Sequence, residues 1–173
     1  MFLGLSVGSI FTIYAPLKPS IYSIGGIVLA LGMIVVAKLY EKILTIEYFF
    51  KISLLVELVI LAVVIFFLLK PYEYMTALLV YSGYQLTFMF GSYLVRAETL
   101  FLKKKILLSK VDIAKQLGNL AGMLISFTFY KVLEYFFHIT DNAQKVYDIH
   151  FLLLLCEVVI IGLIFRSFRK KFL

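Results

Sequence analysis

LLCEVVII, Leu154–Ile161, sets one glutamate inside an otherwise aliphatic run. LLVELVIL, Leu54–Leu61, does the same one hundred residues earlier, with Glu57 at the matching place. A carboxylate deep in an apolar helix is costly, and in a membrane segment such a residue faces a cavity or a partner. The two segments therefore fix both the class of the protein and its first candidate functional groups.

The rest of the chain agrees with that class. Of 173 residues, 63% are hydrophobic, and the mean hydropathy is +1.03. That leaves too few polar residues to cover a soluble domain, so an integral membrane protein of the cytoplasmic (plasma or bacterial inner) membrane is expected. A single cysteine, Cys156, rules out an internal disulfide and is no metal site alone. The net charge of +7 is spread between apolar runs and reads as membrane topology, not as a nucleic-acid surface. No Lys or Arg precedes the first apolar run and no small-residue pattern ends it, so a signal peptide is not expected.

Crossing about 30 Å of hydrocarbon takes roughly 20 apolar residues in a helix. Six stretches are candidates: Phe2 to Leu17, Ile21 to Ala37, Ile52 to Leu69, Tyr74 to Val95 with an extension to Leu102, Gln116 to Phe137, and Ile149 to Phe165. The expected fold is an all-α transmembrane bundle of six helices in one domain, residues 1–173. The first stretch is the weakest, being short and carrying Ser6, Ser9 and Thr12. With a cytoplasmic N-terminus, the inner side holds Lys38, Lys42 and Lys51, then six cations from Arg96 to Lys115, then Arg166, Arg169, Lys170 and Lys171. The outer side holds Lys18, Lys70, Lys131 and Lys145. Cations favour the inside, so both termini are expected in the cytoplasm. KKKILLSKVD, Lys103 to Asp112, is expected to lie on the membrane surface.

The halves 1–70 and 71–173 look related. LLVELVILAVVIF faces LLCEVVIIGLIFR, and LALGMIVVAKLYE resembles NLAGMLISFTFYKVLE. Two three-helix repeats of inverted topology would follow, an arrangement that transporters use. Chance likeness between apolar helices is the competing explanation.

With these features the chain resembles half of a major facilitator superfamily transporter. That family's loop after the second helix carries Gly-x-x-x-Asp-Arg. Here AKLYEK places Ala37, Glu41 and Lys42 at those positions, and YLVRAE places Arg96 at the inner end of the fourth helix. The resemblance implies a cytoplasmic charge cluster of Glu41, Lys42 and Arg96, a pathway lined by the first and fourth helices, and a homodimer or a second membrane subunit completing it. The function expected is transport of a small solute. A six-helix subunit that captures substrate for a separate energising module, as in vitamin transporters, is the alternative, and a non-transporting scaffold is a third.

Glu57 and Glu157 are candidates for proton coupling, or are buried acids hydrogen-bonded to a neighbouring helix. Tyr81, Gln85, Ser92 and Arg96 fall at helical steps and share one face, which makes Tyr81, Gln85 and Ser92 candidate pathway residues, with Asn119 on the next helix. Polar glue between helices is the plainer role for Ser92. Gly4 with Gly8, and Gly118 with Gly122, allow close helix approach, either inside the bundle or in a dimer. Nucleophile-elbow and phosphate-loop motifs are missing, and the histidines lack metal-site spacing, so neither enzyme activity, cofactor nor metal is expected. An aquaporin-like channel would need Asn-Pro-Ala half-helices, and no Asn-Pro occurs.

Overall fold

The computed structural model describes residues 1–14 and 16–172, without the side chains of 10, 11 and 169–172. Three of the inner cations, Arg169, Lys170 and Lys171, thus have side chains outside the described set. Seven helices account for the described residues: α1 Phe2–Tyr14, α2 Pro19–Lys38, α3 Tyr40–Ile43, α4 Ile46–Leu69, α5 Tyr74–Leu102, α6 Lys105–Tyr135 and α7 Asn142–Phe172.

Local chemistry sets several of these boundaries. Pro19 opens α2, where its missing N–H costs nothing. Thr45 caps α4, its hydroxyl accepting from the Tyr48 amide at 3.4 Å. Pro71 follows the last turn of α4, which a proline cannot extend. Lys103, at φ 51°, turns the chain sharply between α5 and α6. The stretch Lys105 to Asp112 therefore belongs to α6 and is not a separate surface segment.

The six helices other than α3 neighbour one another in the order α2, α5, α4, α7, α1, α6, and α1 also reaches α5. α4 is central. Its Val63, Val64 and Phe67 pack against Phe2, Leu5 and Ile13 of α1, Val80 of α5, and Val146 and Leu153 of α7. The short α1 is the most enclosed element: Leu5, Ser6, Ser9 and Ile13 are all nearly inaccessible. The connections are tied down as well. Tyr72, between α4 and α5, donates its hydroxyl to the Ala143 carbonyl at the start of α7. Burial, then the charge of Asp141, push its phenol up to about 12, so it remains a neutral donor at physiological pH. At the opposite turn Lys115 meets Glu98 at 2.6 Å, joining α6 to α5.

The expectation of six membrane spans does not hold. Among the described residues three helices are long and apolar enough to cross a membrane: Pro19–Lys38, Ile46–Leu69 and Asn142–Phe168. α1 has 13 residues, about 20 Å of helix against about 30 Å of hydrocarbon. α5 is long enough, but Tyr81, Ser82, Tyr84, Gln85 and Thr87 dilute its apolar character. α6 is interrupted by Lys110, Lys115, Gln116 and Asn119 at one end and by Lys131 and Glu134 at the other.

Two further expectations fall with the count. Two inverted repeats of three spanning helices need three in each half, whereas two qualify in residues 1–70 and one in 71–173. Three crossings also put the two termini on opposite sides of a membrane, so a shared cytoplasmic placement no longer follows.

Candidate functional site

The two glutamates that stand apart in the sequence meet in space. Glu57 lies at the middle of α4, and α7 packs along α4 so that Glu157 comes opposite it. Their carboxyl groups interact across the helix interface. Glu157 is fully inaccessible, and neither of its carboxyl oxygens has a hydrogen-bond partner within 3.5 Å. Glu57 is partly buried. Buried polar groups are nearly always hydrogen-bonded, and each exception calls for a reason. The one group that Glu157 meets across the interface is the other acid, Glu57.

Polar groups of two further helices lie near the acid pair. Tyr84 of α5 turns its hydroxyl toward Ser6 of α1 and toward Glu157. Ser6 and Ser9 are almost completely buried, donating to the carbonyls of Leu3 (3.1 Å) and Ser6 (2.8 Å). Cys156 lies next to the acid pair and is also buried. Below this level the surroundings are apolar, built from Val63, Val64 and Ile60. The result is a buried cluster of two carboxyl groups, one phenol and the Ser6 hydroxyl. Such a buried acid pair suits the binding and release of a proton. No group of three or more His, Cys, Asp or Glu converges among the described residues. No known family, no curated protein and no solved structure matches this chain.

The other sequence candidates are distributed rather than gathered. Tyr81 is buried in a cluster with Tyr14 (ring centroids 5.5 Å apart) and Tyr22 (5.2 Å), and donates to the Tyr22 carbonyl at 3.2 Å. Gly25 of α2 makes room for it, since a Cβ there would lie 2.6 Å from the Tyr81 ring. Gln85, one turn on, sits in a cleft between α2 and α5, with its Oε1 buried and unpartnered. Ser92 and Arg96 continue the same face but are exposed. Asn119 lies elsewhere, at the crossing of α6 and α1, with its Oδ1 buried and unpartnered. Tyr81 and Gln85 are thus neighbours, while Asn119 does not join them.

Glu41 and Lys42 lie exposed on the short α3. Tyr93, one turn before Arg96 on α5, donates to the Ile43 carbonyl of α3 at 2.7 Å, so all three charges occupy the same end of the bundle. Among the described residues no ion pair joins Glu41 to Lys42 or Arg96. His150 is buried: its ring stacks on Phe67 at 4.0 Å and its Nδ1 lies 2.6 Å from the Val146 carbonyl oxygen.

Tyr84 and Ser6 are the site residues that sequence reading missed. Their signal was present. Ser6, Ser9 and Thr12 recur every three residues and mark one face of α1. Counted only as polar dilution of a weak span, they gave no hint of a shared cluster.

The packing role of Tyr81 leads to a prediction. Tyr81→Phe keeps the ring contacts and removes one hydroxyl bond, so a stability loss of about 1 kcal/mol is expected. Thermal unfolding in detergent measures it. An unchanged midpoint would show that the bond to Tyr22 contributes nothing.

Proposed function

We propose that this chain is a membrane protein that moves a small solute across the bilayer, coupled to a proton or small cation held between Glu57 and Glu157. A single observation carries the reading: Glu157 is buried and unpartnered at mid-helix in one apolar segment, facing a second acid at the middle of another. Leaving a buried carboxyl unsatisfied costs stability, and structural acids are normally given partners. An arrangement kept in spite of that cost fits a group whose task is to take up and give back a ligand. The resemblance to half of a major facilitator loses its six-span frame, and the proposal does not depend on it. Three apolar spans enclose little by themselves, so a second copy or a second membrane subunit completes the pathway in this reading.

The test is flux. Purified protein in proteoliposomes containing a pH-sensitive dye is expected to dissipate an imposed proton gradient, or to carry a cation against it. Glu157→Gln and Glu57→Gln are each expected to reduce the rate at least tenfold. Equal rates in all three proteins, or none above empty vesicles, would reject the proposal.

A subunit that serves a partner rather than transporting by itself is the second reading, and the low span count favours it. Co-purification of a different subunit with the acid pair dispensable for function would select it.

A further inference from the structure

A cavity lies on the other side of α5 from the acid pair. It runs between α2 and α5, holds about 440 Å³, and is lined by Ile24, Val28, Leu78, Leu86 and Met89 with Gln85 among them. That volume lies in the range of small-molecule pockets. No charged side chain lines it. The hydroxyls beside it are already engaged: Tyr81 donates to Tyr22, and Ser82 donates to the Leu78 carbonyl at 2.8 Å. The Gln85 amide is the remaining polar group, and its Oε1 has no partner.

The cavity opens beside a face that belongs in lipid. α2 is one of the three helices fit to cross a membrane, and Ile24, Ile27, Val28 and Leu31 along it are all more than half exposed. An occupant drawn from water would have to shed its hydration to enter an apolar slot. An occupant drawn from the bilayer would exchange one apolar environment for another and gain the amide.

We infer that this groove is the substrate site and takes an uncharged amphiphile from the bilayer, with one apolar chain and a single hydroxyl. The inference rests on the transport reading above. The chemistry of the lining selects the class. A charged headgroup would find no counter-ion in the groove, and desolvating it there would be costly. A plain hydrocarbon would leave the amide unsatisfied. A hydroxyl both accepts from the amide N–H and donates to Oε1, so it answers either edge of Gln85 after rotation of the amide. The position of α5 gives the link to coupling. Its Gln85 serves the groove while the adjacent Tyr84 faces Glu157, so one helix separates substrate from coupling ion.

The test is photolabelling of the full chain in liposomes. Two probes are compared, a long-chain primary alcohol bearing a mid-chain diazirine and the matched alkane without the hydroxyl, with adducts mapped by peptide mass spectrometry. The alcohol is expected to label the α2 and α5 segments and to be competed by unlabelled alcohol. Gln85→Leu is expected to weaken the alcohol about tenfold, the loss of roughly one buried hydrogen bond, and to leave the alkane unchanged. Ser82→Phe, which fills the groove, should abolish both signals. Labelling spread over all lipid-facing surfaces, or equal labelling by both probes in wild type and Gln85→Leu, would overturn the inference. Groove labelling without flux would reject the transport reading and leave the binding site standing. Flux without groove labelling would reject the groove alone.

Discussion

Glu157→Met is expected to make the protein more stable and less active. Methionine fills a similar volume, brings no charge, and removes two unpartnered oxygens from an inaccessible position between α4 and α7. Replacing buried ionisable groups with apolar residues of like size is commonly neutral or stabilising. The relief of an unsatisfied buried polar group is about 1–3 kcal/mol, so the thermal midpoint in detergent should rise by several degrees. Flux should fall to the background of empty vesicles, because the remaining acid, Glu57, has lost the group it faces. The combination is what separates a working carboxyl from a structural one. A structural acid would lose stability on removal, and activity would fall only in proportion to unfolded protein. Glu157→Met with a lowered midpoint would therefore place Glu157 among the packing residues. Opposite movements of stability and activity are the signature of a site retained for its task.

Gly122→Leu is expected to have the largest effect on the fold. α1 and α6 cross where Gly4 and Gly122 meet backbone to backbone. A Cβ at Gly122 would run into the Met1 carbonyl and lie 3.0 Å from the Leu5 amide nitrogen and 3.1 Å from the Gly4 Cα. A Cβ at Gly4 would in turn lie 2.9 Å from the Met123 amide nitrogen. Backbone cannot rotate out of the way as a side chain does, so the helices must separate. Overpacking of this kind costs about 3 kcal/mol or more, and it would detach the helix that carries Ser6 toward Tyr84 and the acid pair. Gly91→Ala and Gly162→Ala are the controls. Nothing lies within 4 Å of a Cβ at either position, and exchanging a mid-helix glycine for alanine should gain about 0.5–1 kcal/mol. The check is the unfolding midpoint of the three variants side by side. A tolerated Gly122→Leu would mean that α1 does not pack on α6 as described. At this crossing Gly4 and Gly122 are occupied within the chain, so the close approach there is packing inside the bundle.

The positions of the helices were legible, while their relation to a membrane was not. The starts of α2 and α4 and the end of α4 follow from Pro19, Thr45 and Pro71, and the extension of α5 to Leu102 was expected and is present. Crossing a bilayer is a sterner requirement than forming a helix. α1, α5 and α6 meet the second and fail the first, because polar residues that look incidental in a list of runs lower the average over a whole span. The eleven residues by which α6 begins before Gln116 show the same blindness. Lys103 and Lys104 do break the chain, but from Lys105 on the segment read as lying on the membrane surface is the first part of α6.

The site was half legible. Glu57 and Glu157 were conspicuous because each interrupts an aliphatic run, and that local signal needs no tertiary information. Their pairing was invisible, because it depends on α7 returning to lie along α4, which no residue pattern announces. Tyr81 and Gln85 share a face in sequence and a neighbourhood in space. Asn119 shares neither, since its helix is held against α1 by glycines rather than turned toward α5.

The most direct measurement is carbodiimide labelling of the protein in liposomes. An apolar carbodiimide enters the membrane and reacts with a protonated carboxyl there, and peptide mass spectrometry locates the adduct. The carboxyl-pair account predicts one adduct per chain, on Glu57 or Glu157 but not both, with labelling that falls as the external pH rises and inhibits flux in step. Labelling confined to loop acids such as Glu73 and Asp141, with Glu57 and Glu157 unmodified at every pH in the folded protein, would contradict it.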